Sequence, residues 1–317
     1  KNYLQLAVRL MPADPIVNDH YGDVLWKNGD KIQARYYWNY VLNLEKVEED
    51  LKEKIEQKLI KGMQDMPVLS GSAVEIPSTP ASLWIWLRGE ERGDLVVQTL
   101  ELKQRLAGAF TLRDVVDCFK YRDRRDLSGY VDGTENPEGE KAERAALLSS
   151  NIDALDGSSF ASVQQWLHNL DHFHGLPPSE QDNIMGRRRS DNEEFDEAPE
   201  SAHVKRSAQE SFSPEAFMLR RSLPWNDATQ EGLMFVSFGK SFDAFNAIMA
   251  RMVGMDDGIT DGLFRFTQPI NGAFFWNRLD VGKPTIYFVG LFLENNISRS
   301  GRAISASASR FLIEGFH

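Results

Sequence analysis

Gly129-Tyr130-Val131-Asp132-Gly133-Thr134-Glu135-Asn136-Pro137 is the stretch on which the reading of this chain turns. Glycine accepts positive φ without steric cost, so the glycines around Asp132 read as a tight turn that presents its carboxylate at a fixed angle. A bare Gly-x-x-Asp-Gly is a common turn; the string extended through Pro137 is far more specific. Further along, Leu219-Arg220-Arg221-Ser222-Leu223-Pro224 sets a cation and a hydroxyl ahead of a helix-breaking proline. Between the two, Ser201-Ala202-His203-Val204-Lys205-Arg206 holds a histidine among polar residues. Taken alone, such a histidine reads as a surface side chain.

Around these segments the pattern is α+β. Leu83 to Leu87 reads as a strand, Leu95 to Ala109 as an amphipathic helix and Arg113 to Tyr121 as another strand. The same order recurs in Leu233 to Phe238, Phe242 to Met252 and Ala273 to Leu279, which suggests sheets covered by helices. Residues 176–215 are polar and charged and read, by composition, as a solvated loop. Residues 1–65 read as helix. Gly22, Ala34 and Trp38 stand at the small, small and aromatic offsets of a tetratricopeptide repeat, with Ala7 and Pro12 where a preceding repeat would end. Small residues there let paired helices approach while Trp38 fills the groove. The expected division is a helical segment 1–65, a linker 66–81, a domain 82–280 and a tail 281–317 in which Ile286 to Leu293 is of strand length.

The chain has 317 residues, 42% hydrophobic and 26% charged, which suits a globular protein with a core. Its formal net charge of -11 argues against nucleic acid as a partner and favours neutral or cationic substrates near the surface. One cysteine, Cys118, excludes an intrachain disulfide framework and any cysteine-rich metal centre, and fits a reducing, cytoplasmic setting. No apolar run reaches membrane-spanning length, so no membrane association is expected. Among the 6 histidines, His168 and His172 stand four apart with His174 close by. On one helix face they could hold a metal, yet no partner carboxylate stands at the usual spacing, and packing or a helix surface is the better reading.

At this point the sequence resembles the dye-decolourising peroxidases, especially their shorter bacterial branch, over residues 77–280. The nine-residue string is that family's signature. Ser158 to Leu170, Ile184-Met185-Gly186-Arg187, Ser201 to Arg206, Leu219 to Pro224, Gly232 to Ser237 and Asp261 to Phe275 follow in the family's order. The resemblance implies a ferredoxin-like α+β fold with two halves, the second holding one haem b per chain. It implies that His203 is the proximal iron ligand and that Asp132 is the distal acid–base residue. Arg220 would be the distal cation and Ser222 its hydrogen-bonding neighbour. It further assigns Gly133, Thr134, Asn136 and Phe235 to haem contact, and Asp261 to the second ring N–H of His203.

The implied activity is reduction of hydrogen peroxide with oxidation of a small organic reductant such as a dye or phenolic. A carboxylate can take a proton from one peroxide oxygen and return it to the other. Its ordinary pKa of about 3.9 favours activity on the acid side unless burial raises it. Trp84, Trp86, Trp166, Trp225, Trp276 and Tyr130 are available to relay oxidation of bulky substrates, though each reads better as core packing. The family implies a homo-oligomer, and residues 1–65 offer a surface for a protein partner. Two departures stand out: the first half lacks the strands and helix expected ahead of residue 80, and the tail beyond Asp280 is unrelated. A truncated sheet is expected to expose an edge. Two alternatives stay open: a haem- or porphyrin-processing enzyme on the same site, and a non-catalytic interaction protein built on the repeat-like helices.

Overall fold

The computed structural model describes residues 2–28, 30–42, 44, 46–60, 66–71, 74–108, 110–149, 156–278, 285–289 and 309–315. The chain forms two compact units, Lys1–Gln64 with Ser150–Asp153, and Asp65–Ser149 with Ala154–His317.

The first unit is helical: α1 (Asn2–Leu10), α2 (Pro15–Lys27), α3 (Lys31–Leu42) and α4 (Glu49–Ile60). Asp14 caps α2 by accepting from the Val17 N–H at 2.9 Å, and Pro15 opens its first turn, where a missing N–H costs nothing. Leu25, Ala34, Trp38, Val41 and Ile55 form its buried core. Gly22 is required by contact: a Cβ there would lie 2.4 Å from Trp38 Nε1, which donates to the Asp19 carbonyl at 3.2 Å.

The second unit begins with a small hairpin, β1 (Leu69–Ser70) and β2 (Glu75–Ile76). Then come β3 (Leu83–Gly89), α5 (Arg92–Leu106), β4 (Leu112–Phe119), α6 (Glu140–Ala146), β5 (Ser158–His168), α7 (Leu170–Gly175), α8 (Pro178–Met185) and α9 (His203–Arg206). The remainder is β6 (Leu219–Asn226), β7 (Glu231–Gly239), α10 (Asp243–Met252), β8 (Thr267–Arg278), β9 (Thr285–Val289) and β10 (Ser309–Gly315). The sheet curls into a barrel in the order β10-β3-β9-β8-β5-β7-β6-β4, closed because β10 pairs with β4 as well as β3. The edge expected of a truncated sheet is therefore covered on β3, by β9 and β10. The serine-rich residues 297–308 lie outside the described residues.

The core combines Trp84, Trp86, Cys118, Val163, Trp225, Met234, Val236, Phe238 and Phe275. Trp84, Trp86, Trp166, Trp225 and Tyr130 are all buried, as core packing requires. Pro224 lies inside β6. It pairs with Leu233 of β7, while contact with β4 is confined to Cys118 opposite Trp225, so the missing N–H breaks no continuous ladder. The polar stretch 176–215 is more structured than a solvated loop. It carries α8 and α9 and buries Ile184, Arg206 and Gln209. His168, His172 and His174 do not share a helix face: the first ends β5, and the others lie exposed on α7.

Candidate functional site

Strand periodicity makes one wall of the site. Arg220 and Ser222 are two apart on β6 and so project to the same face. Ser222 sits opposite Phe235 of β7, and Arg220 opposite Ser237. The signature string is laid against this strand by Asn136, whose side chain imitates a neighbouring strand. Its Oδ1 accepts from the Arg220 N–H at 2.7 Å and its Nδ2 donates to the Arg220 carbonyl at 2.9 Å. The same string is tied down at Glu135. Arg187 donates to its carboxylate at 2.5 Å, while Gln209 and the Arg220 guanidinium donate to its carbonyl at 3.0 and 3.2 Å.

Asp132 follows from a narrow hairpin in which its N–H donates to the Arg124 carbonyl at 3.0 Å and Arg125 bridges Val131. Gly133 has φ +72°, the conformation for which the sequence placed glycine there. Burial of the Asp132 carboxyl raises its pKa, and the nearby charge of Asp126 adds to the rise; hydrogen bonding from Ser222 and the charge of Arg220 oppose it. Burial likewise lowers the pKa of Arg220, with Asp132 opposing, but a guanidinium remains a cation throughout the physiological range. Among the described residues, Arg220 Nε is buried without a hydrogen-bond partner. A buried, unpaired donor of this kind costs free energy unless a ligand answers it.

His203 opens α9. Its Nδ1 is 2.9 Å from Oδ2 of Asp261, whose side chain is fully buried and whose other oxygen accepts from the Leu263 N–H at 2.8 Å. With the proton on Nδ1 donated to Asp261, Nε2 keeps its lone pair. The helix is set by Gly186, in the left-handed region (φ +81°) at the end of α8; a Cβ there would lie 2.3 Å from Val204 Cγ2.

These groups share one cavity of about 1320 Å³, its mouth included. Asp132, Gly133, Thr134, His203, Arg220, Ser222 and Phe235 line it, together with apolar Phe245, Ile248, Met249, Met252, Leu263 and Phe266. Asn136 lies outside this lining and acts through the Arg220 backbone instead; Asp261 stands behind His203. A second cavity meets the first at Asp126, Asp132, Gly133, Arg220, Ser222 and Leu233. Sequence reasoning missed Gln209 and Asp126; His168, weighed there as a metal ligand and read as packing, is buried against Asp126. None of them carries a local pattern that marks it.

An oriented imidazole with a free nitrogen faces an apolar cavity that also holds a carboxyl and a guanidinium, an arrangement chemically able to ligate a metal and to move protons. Residues 123–279 match the family described as Dyp-type peroxidase, C-terminal, and over that stretch the chain is similar to the dye-decolourising peroxidases. It is similar to the dye-decolorizing peroxidase of Rhodococcus erythropolis, 30% identical over 214 residues covering 66% of this chain and 63% of that protein. The chain thus spans less than two thirds of that relative's length. Among solved structures, a dye-decolorizing protein from V. cholerae superposes with TM-score 0.54 at 26% identity, covering 67% of this chain and 72% of that one. A DypB variant from Rhodococcus jostii RHA1, in complex with heme, shares the fold with TM-score 0.56 at 24% identity, covering 67% and 71% of the two chains. No helix among the described residues is long and apolar enough to cross a membrane.

Proposed function

We propose that this chain is a haem-dependent peroxidase that reduces hydrogen peroxide and oxidises organic reductants such as dyes and phenolics, with one haem b held by His203. The observation that carries this reading is the convergence of His203–Asp261 and of Asp132, Arg220 and Ser222 on one largely apolar cavity. The donor set fits the cofactor. A neutral imidazole is an iron ligand, a buried carboxylate on its far nitrogen makes it more electron-donating, and aromatic and methionine walls suit a flat apolar macrocycle. The unpartnered Nε of Arg220 fits a site completed by a small polar ligand.

Haem, when bound, supplies an iron centre able to take up the two oxidising equivalents of peroxide. The chain's own residues then account for the proton work. Asp132, ionised, would accept a proton from one peroxide oxygen on its carboxylate and return it to the other, which would leave as water as the O–O bond breaks. Ser222 holds that carboxyl by a hydrogen bond, and Arg220 lends a permanent positive charge to the leaving oxygen. Asn136 and Glu135 hold Arg220 in place from the signature string. Arg220→Leu tests the reading directly. The variant is expected to take up haem as the parent does, while its second-order rate with hydrogen peroxide falls by about 10²–10³; an unchanged rate would contradict the role.

A further inference from the structure

One buried carboxylate–histidine pair beside the site is not used by this mechanism. His168, the last residue of β5, is buried; its Nε2 lies 3.0 Å from Asp126 Oδ1 and its Nδ1 lies 2.6 Å from Thr267 Oγ1. Thr267 is its register partner on β8 and also donates to the Leu167 carbonyl at 3.1 Å. Asp126 is 9% exposed. Its Oδ2 accepts from the Ser128 N–H at 2.8 Å, its own N–H donates to the Tyr130 carbonyl at 2.9 Å, and its carbonyl accepts from the Gly129 N–H at 2.9 Å. Every one of these bonds fixes the turn that leads into Asp132. Asp126 also borders both cavities that meet at Asp132.

We propose that Asp126, anchored to the barrel by His168, is a positioning residue: its carboxylate, at the turn leading into Asp132 and on the lining of both cavities that meet there, governs proton transfer at Asp132. An ionised carboxylate only accepts hydrogen bonds, so His168 presents Nε2–H to it, and Thr267 fixes the other side of the ring. Burial pushes Asp126 upward, but the His168 ring and the Ser128 amide outweigh this and leave its pKa below the ordinary value. Asp126 thus stays charged where Asp132 titrates. Besides Asp126 and Asp132, the charged or titratable groups around the first cavity are Tyr130 and Glu135 of the signature string, Arg220 on β6, His168 on β5, His203 on α9, and Glu194 and Glu210 on the segments flanking α9; the second adds Lys120, Tyr121, Arg124, Arg125 and Arg221. Arg220 lowers the Asp132 pKa, and Asp126 raises it. A fixed anion that keeps the neighbouring carboxyl protonated to higher pH is what an acid–base residue working near neutrality needs.

This inference rests on the peroxidase reading for its purpose but not for its test. Infrared titration of the full chain, without cofactor or peroxide, follows the protonated-carboxyl band of Asp132, assigned by its loss in Asp132→Asn. In Asp126→Asn that band is expected to disappear about one pH unit lower than in the parent, a roughly tenfold stronger acid. An unchanged midpoint overturns the proposal while leaving the peroxidase reading intact. Should Asp126→Asn fail to fold, the parent chain decides. There, Asp126 is expected to ionise before Asp132, the two falling on opposite sides of about 3.9, and the reverse order overturns the proposal. In the haem-loaded enzyme, the acidic limb of kcat/KM for peroxide moves down with the infrared midpoint. A loss of rate at all pH values with no shift would mark a merely structural role.

Discussion

Asp132 is marked in the sequence by the string around it, whereas His203 carries no such mark, and the roles proposed for them follow from their surroundings. Asp261 orients His203 from behind and leaves Nε2 to bind. His203→Ala is accordingly expected to abolish axial ligation and the corresponding absorption band. Asp261→Asn should weaken haem binding by about 10- to 100-fold, the usual cost of losing such an outer partner; haem titration measures both. Asp132 sits where burial raises its pKa. It must be ionised to accept the peroxide proton, so the rate with peroxide should fall as pH drops through this raised value. The acidic limb is therefore expected above about 3.9 and should vanish in Asp132→Asn. A limb at or below the ordinary carboxylate value would refute the environment described for Asp132. The sequence alone allowed for the opposite, an acid-side enzyme, because burial of one carboxyl leaves no trace in composition.

Strands and helices whose buried positions carry apolar letters were legible. β3, α5, β4, β7 and α10 fall close to the expected segments, because each carries an apolar run bounded by turn residues. β5 was not legible as a strand: all but one of its residues are buried, including Gln164, Gln165 and His168, so alternation is lost and polar letters hide the burial. The region 176–215 misled in the same way. Two of its arginines are largely buried and paired, Arg187 with Glu135 and Glu194, and Arg206 with Asp257. Element placement gives two predictions. Gly186→Ala adds a Cβ against Val204 at a positive φ, and is expected to cost about 1–2 kcal/mol in chemical unfolding while displacing α9 and weakening haem retention. Asn136→Ala removes both bonds that hold the Arg220 backbone to the signature string. It should slow reaction with peroxide while haem binding, assigned to His203 in the proposed reading, is preserved; parallel loss of both would mean that the string holds the cofactor directly.

At the scale of the whole molecule, two compact units share one chain, and the candidate site lies in the second. The family's signature was legible because active-site loops concentrate unusual letters in fixed order. The pairing of β9 and β10 with β3 was not, because long-range strand order is carried by no local motif. A ligand that binds only the folded form stabilises what it touches. Haem is therefore expected to raise the calorimetric transition of the second unit and leave that of the helical unit in place. The central claim, a histidine-ligated haem poised for peroxide, is tested most directly by the visible spectrum of the full chain reconstituted with protohaem, before and after one equivalent of hydrogen peroxide. The account predicts stoichiometric uptake with a Soret band characteristic of histidine-ligated ferric haem, and a rapid shift of that band on adding peroxide. Failure to take up haem, or a Soret band that peroxide leaves unmoved, would contradict it.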